Sequence, residues 1–158
     1  MSGDGRSVTA RVWKLLFVCT GNLCRSPMAE GLARDYALRN RRPVEVRSAG
    51  TMGIQRRPAD PNAVAVCAEL GVGVGEHRSQ GLTSELVTWA DHIAVMEVAH
   101  AAHIREHFPE VADKIVMLGG RIGLVDIPDP IGGWTFQFRR SRNQIAQAVK
   151  SLVDQLPE

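Results

Sequence analysis

The chain has 158 residues, 44% of them hydrophobic, which suits one compact domain with a single core and leaves little for a second. Its formal net charge of +2 is too small to argue for nucleic acid, and no apolar run reaches the eighteen residues that a membrane-spanning helix requires. Three cysteines form an odd set without the spacing of a secreted disulfide scaffold, so a reducing cytoplasm is the expected compartment.

Residues 1 to about 11 lack the apolar centre of a signal peptide and read as a frayed tail ahead of a domain spanning 12–158. "VWKLLFVC" (12–19) is a nearly continuous apolar run, the pattern of a strand buried on both faces. "SPMAEGLARDYALRN" follows with helical spacing at Met28, Leu32 and Tyr36, and Asn40 and Pro43 close it. "VEVRSAG" (44–50) is a second strand. Asp60 and Pro61 then signal a helix start, an N-cap carboxylate with proline at the first helical position, and Val64, Cys67 and Ala68 mark its expected inner face.

Thr83 or Ser84 is expected to cap a short helix through Trp89, ahead of the strand "DHIAVME". "VAHAAHIREHF" is a helix stopped by Pro109, and "KIVML" a fourth strand. A long loop, "GGRIGLVDIPDPIGG", leads to a closing helix with Ile145, Val149, Leu152, Val153 and Leu156 on one face. Strands alternating with helices predict an α/β domain: a mostly parallel sheet between two helical layers. Ligands of such sheets bind beyond the carboxyl ends of the strands.

One such end carries "CTGNLCRS" (19–26). A strand-to-helix turn aims backbone N–H groups and the positive end of a helix at one point, which makes an anion cradle. Gly21 permits a tight backbone, and Asn22 tolerates a left-handed conformation. Arg25 brings a two-pronged donor suited to phosphate. Cys19 enters at the start of the cradle, where a thiol is expected to ionise easily, and Ser26 is placed to donate to its sulfur. The set describes a sulfur nucleophile facing an oxyanion site.

Displacement at phosphorus also requires an acid for the leaving oxygen. "DIPDP" offers Asp126 and Asp129 at the same end of the sheet, and Asp129, ahead of Pro130, is the better placed. Cys67 reads as a core filler. His100, His103 and His107 share a helical face, which reads as solvated in preference to metal-binding because no cysteine or carboxylate completes a set. The basic clusters "RNRRP", "QRR" and "FRRSR" read as solvated surface, with Arg56 and Arg57 bordering the expected pocket.

Taken in order, "VCTGNLCRSPMAE", "SAGT", "PADPNAV", "HRSQGLT", "DHIAVME" and "DIPDP" resemble the low-molecular-weight protein tyrosine phosphatases over nearly the whole chain. The resemblance implies a four-stranded parallel sheet with flanking helices, no metal or other cofactor, a phosphorylated protein or peptide as substrate, and inorganic phosphate as product. It implies Cys19 as the nucleophile of a phosphocysteine intermediate, Arg25 as phosphate binder and Asp129 as general acid and then base. Thr20, Gly21, Asn22, Leu23, Cys24 and Ser26 complete the phosphate loop, with Ser48 and His77 in support of Asn22. It also implies that Cys24 can form a reversible disulfide with Cys19.

The departures concern the pocket walls. Ile54 and Ile131 stand where relatives often carry aromatic side chains, and Trp134 is the remaining aromatic candidate. Leu23 is similar to the tyrosine-selective branch, whereas arginine-selective relatives carry a threonine there but share "DP" followed by one residue and two glycines. Phosphotyrosine is therefore the expected substrate and phosphoarginine the alternative. Glu97 replaces a usual aspartate, and no direct catalytic effect is expected of it. An arsenate reductase relay lacks its later cysteine pair, since only Cys67 follows Cys24. A phosphoprotein-binding module without turnover would need neither the nucleophile nor the acid.

Overall fold

The structure is a computed structural model that describes residues 11–158. The tail expected ahead of the domain thus lies, except for Arg11, outside the described residues. Arg11 itself is held, pairing with Asp91 at 2.8 Å and lying over the Trp13 ring.

Among the described residues, four strands form one sheet: β1 (Trp13–Cys19), β2 (Val44–Gly50), β3 (His92–Val95) and β4 (Ile115–Met117). All are parallel, in the order β2-β1-β3-β4, with Leu15 opposite both Val46 and His92, and Ile93 opposite Ile115. The helices are α1 (Arg25–Arg39), α2 (Pro61–Ala68), α3 (Ser84–Trp89), α4 (Val98–His107) and α5 (Thr135–Asp154). Short 3-10 turns at Pro109–Lys114 and Leu118–Ile122 flank β4.

The alternation of side chains along β1 builds two cores. Leu15 and Phe17 face α1, α2 and α5, where Met28, Leu32, Val66, Cys67, Ile145 and Val149 pack. Leu16 and Val18 face the other way, onto Leu86 and Val87 of α3 and Ile104 of α4. Leu15 to Val18 are all at 0% exposure. At about 1.5–3 kcal/mol for each buried side chain, β1 is firmly anchored between the two cores. It is also the strand that ends at Cys19.

The helix signals hold where chemistry fixes them. The Asp60 side chain accepts from the Asn62 N–H at 2.9 Å, and the Thr83 hydroxyl from the Leu86 N–H at 3.1 Å. The inner face of α2 differs from the expected one. Ala63, Val66 and Cys67 are buried while Ala68 is exposed, because α1 and α5 close over a face turned by one position.

The basic cluster of α5 is not all solvated. Arg142 is only 6% exposed; it donates to the Val66 carbonyl at 2.7 Å and to Glu69, tying α5 to α2. Its aliphatic stem covers apolar surface while its guanidinium finds partners, which charge counting along a sequence does not reveal.

Candidate active site

The loop from Cys19 to Arg25 joins the last residue of β1 to the first of α1. Asn22 sits at its centre, fully buried, with φ of 59°. That left-handed conformation is unfavourable for most side chains, and four hydrogen bonds hold it. Its Nδ2 donates to Ser26 Oγ at 2.7 Å and to Ser48 Oγ at 3.0 Å. Its Oδ1 accepts from the Gln80 N–H at 3.0 Å, and its carbonyl accepts from His77 Nε2 at 2.7 Å.

These bonds set the direction of every hydrogen in the chain that follows. An amide nitrogen can only donate, so both serine oxygens accept from Asn22. Ser48 passes its own hydrogen to Glu30 Oε1 at 2.5 Å. The Ser26 hydrogen is left for Cys19 Sγ, 2.9 Å away. The relay thus ends with a hydroxyl donor on the Cys19 sulfur.

Gly50 belongs to the same construction. It pairs with Cys19 across β1 and β2, and a β-carbon there would lie 2.6 Å from the Thr20 carbonyl and 2.9 Å from the Asn22 nitrogen. Only glycine lets β2 approach the loop this closely. The α1 N-terminus has no side-chain cap. Among the described residues, none accepts a hydrogen bond from the backbone N–H groups of Thr20 to Cys24. Those donors remain free for an anion.

Arg25 is 1% exposed and divided between two tasks. Its Nη1 is occupied by the Glu97 carboxylate and by the Ile127 carbonyl at 2.8 Å. Its Nη2 faces Thr20 Oγ1 and Asp129 Oδ2, each at 3.4 Å. Its Nε is buried and has no partner among the described residues. Leaving such a donor unmade costs about 1–3 kcal/mol, so a bound oxyanion would recover what the protein alone forgoes.

Asp129 is oriented by its own turn, its Oδ1 accepting from the Ile131 N–H at 3.0 Å. Asp126 instead accepts from the Val98 N–H at 2.8 Å, at the start of α4. The two aspartates of "DIPDP" therefore divide: Asp126 caps a helix, and Asp129 stands at the site.

A depression lined by Cys19, Gly21, Leu23, Cys24, Arg25, Asp129 and Ile131 brings the expected groups together. Ile54 borders it, its Cδ1 lying 3.6 Å from where a Gly21 β-carbon would be. Trp134 is 74% exposed and is not part of this lining. The walls are aliphatic.

The remaining two thiols, Cys24 and Cys67, are buried. Burial first, then Asp60 and Asp129, raises Cys24 far above the ordinary thiol range, and burial pushes Cys67 up to about 11. Both stay protonated near neutral pH. None of the three cysteines is joined in a disulfide in this structure.

His100 overturns its expected place on a solvated face. It is 3% exposed and belongs to the site: Nδ1 accepts from the Glu97 N–H at 3.1 Å, and Nε2 lies 2.9 Å from Thr20 Oγ1. Burial, with the nearby Arg25 charge, lowers its pKa to about 4, so it is neutral at pH 7. His103 and His107, by contrast, stack on one another. Glu97 likewise reaches the site, through Arg25. The sequence held one signal for this pair, a helix-start spacing of three residues with polar side chains at both ends.

The matches to known proteins agree with this geometry. The family described as low molecular weight phosphotyrosine protein phosphatase matches residues 14–158. The chain is 39% identical to a protein-arginine-phosphatase of Geobacillus stearothermophilus over 148 residues, covering 91% of this chain and 96% of that one. It is 38% identical to a probable low molecular weight protein-tyrosine-phosphatase, EpsP, of Ralstonia nicotianae, covering 90% and 94%. The crystal structure of a low molecular weight protein tyrosine phosphatase from T. tengcongensis superposes with a TM-score of 0.87 at 33% identity, covering 91% and 99%. The chain belongs to the low molecular weight phosphotyrosine protein phosphatase family.

Proposed function

We propose that this protein hydrolyses phosphotyrosine in protein or peptide substrates through a phosphocysteine intermediate. The observation that carries the reading is Arg25: a buried guanidinium with an unpartnered Nε, in one depression with Cys19 and Asp129.

Arg25 offers one edge, Nε and Nη2, to two phosphate oxygens, because Glu97 and Ile127 occupy the other. The free loop N–H groups hold the remaining charge. The Cys19 sulfur, as thiolate, receives the Ser26 hydrogen bond and attacks phosphorus from the floor of the site. A sulfur–phosphorus bond forms as the ester oxygen–phosphorus bond breaks, and Asp129 gives that oxygen its proton. Water then attacks the phosphocysteine, Asp129 takes the water proton, and Cys19 leaves as thiolate with inorganic phosphate as product. Each step closes on residues of this chain without a metal or other cofactor.

A neutral, buried Cys24 supports Cys19 as the sole attacking sulfur and leaves Cys24 as the thiol nearest in sequence for reversible oxidation. Three free, buried thiols fit a cytoplasmic setting. No helix among the described residues is long and apolar enough to cross a membrane. The modest net charge gives no footing for nucleic acid. Release of p-nitrophenol from p-nitrophenyl phosphate by the reduced protein tests the activity, and its absence would leave the reading without support.

Phosphoarginine remains the second reading, because a protein-arginine-phosphatase is among the relatives at 39% identity. Leu23 favours tyrosine. It lines the depression, and with Ile54 it gives a planar ring apolar contact and no hydrogen-bonding partner for a guanidinium. Leu23→Thr is expected to shift the ratio of kcat/KM values about tenfold toward phosphoarginine peptides, ~1.4 kcal/mol of discrimination. An unchanged ratio would remove Leu23 as the selector.

A further inference from the structure

One imidazole touches both groups that bracket the Arg25 guanidinium. Glu97 holds Nη1 through its carboxylate, and its backbone N–H donates to His100 Nδ1 at 3.1 Å. Thr20 faces Nη2 through its hydroxyl oxygen, and that oxygen lies 2.9 Å from His100 Nε2. The first contact fixes the tautomer. Since Nδ1 accepts, it carries no hydrogen, so in the neutral ring the hydrogen sits on Nε2 and is donated to Thr20. Arg25 Nη2 and His100 Nε2 then both point hydrogens at Thr20 Oγ1. The threonine's own hydrogen must turn away from them.

We propose that His100 is a positioning residue for catalysis: its two ring nitrogens fix Glu97 and Thr20, which between them hold the Arg25 guanidinium with its Nε and Nη2 edge toward the oxyanion. The inference rests on the phosphatase reading above. The groups facing His100 are Arg25 from α1, Glu97 at the head of α4, and Asp126 and Asp129 from the loop before α5. Protonating Nδ1 would set two N–H groups against each other at Glu97. The burial and the Arg25 charge that disfavour the imidazolium preserve the arrangement at neutral pH.

Inorganic phosphate is the probe, because its competitive inhibition and its direct binding report on Arg25 apart from chemistry. His100→Ala is expected to weaken phosphate binding about tenfold and to lower kcat by a similar factor. His100→Gln, which can offer an acceptor and a donor, should restore most of both. Thr20→Val should weaken phosphate binding comparably, and the double variant should be no worse than the poorer single, because both act through one unit. Nitrogen-15 NMR of the wild type should show His100 neutral at pH 7 with its hydrogen on Nε2.

Unchanged phosphate binding in both single variants, additive losses, or a hydrogen on Nδ1 would each overturn the proposal. The NMR and Thr20→Val arms decide the matter even if His100→Ala does not fold. Wild-type protein that binds phosphate but turns over no ester would count against the phosphatase reading. Wild-type turnover with indifferent His100 variants would count against this inference alone.

Discussion

Cys19→Ser is expected to lower turnover of p-nitrophenyl phosphate by on the order of 10⁵-fold while leaving inorganic phosphate binding within about threefold of wild type. The two results separate because the site does two things with different atoms. The attack needs a sulfur that can carry negative charge at neutral pH, which a serine hydroxyl does not do there. Binding needs Arg25, the free N–H groups of Thr20 to Cys24, and the left-handed Asn22 that shapes them. Among the described residues, none of these is bonded to the Cys19 side chain except through Ser26. Calorimetric titration with phosphate, run beside the turnover assay, checks both halves. Full loss of phosphate binding would mean that the thiol holds the loop together, contrary to the hydrogen-bond pattern.

The second large effect belongs to Asp129. Asparagine preserves the Oδ1 acceptor for the Ile131 N–H, so the turn should keep its shape, but it removes the proton that the leaving oxygen and the attacking water require. Asp129→Asn is expected to lower kcat about 10²–10⁴-fold, ~3–5 kcal/mol of barrier. The loss in kcat/KM, which reports the first step, should grow with the basicity of the leaving group. Phosphotyrosine, whose phenol titrates near 10, should suffer more than p-nitrophenyl phosphate, and alkyl phosphates most. Stopped-flow and steady-state rates across a series of leaving groups measure the dependence. A flat series would take Asp129 out of the first step.

Much of the fold was legible because β1 is unambiguous. Four consecutive apolar residues, Leu15 to Val18, followed by a glycine-containing turn and a helix pattern, leave little room for another reading, and all four are buried. The caps at Asp60 and Thr83 were legible because they depend on the residues next to them. What stayed hidden depends on partners distant in sequence. Arg142 looks solvated until α2 supplies the Val66 carbonyl and Glu69. His100 looks solvated until the Thr20 loop, eighty residues earlier, closes over it.

The site divides in the same way. Cys19, Asn22, Arg25 and Ser26 share one loop whose chemistry is local, so their contacts follow from the order of residues. Asp129 and Asp126 are three residues apart and alike in sequence, and the structure separates them by their hydrogen bonds. Glu97 carries no expected catalytic effect in the sequence, because nothing local shows that its carboxylate meets Arg25. Nor would shape alone have found the place. A wider groove lined by Trp13, Pro43, Val44 and Leu156 lies at the opposite end of β1 and β2, away from Cys19.

In the proposed mechanism phosphorus passes through the sulfur of Cys19. Rapid quenching of the Asp129→Asn variant during turnover, followed by peptide mass spectrometry, tests it directly, because loss of the water-activating base slows breakdown of the intermediate. A burst approaching one p-nitrophenol per chain is expected, with one phosphoryl group carried on Cys19. A phosphoryl group on another side chain, or turnover with no covalent intermediate on Cys19, would contradict it.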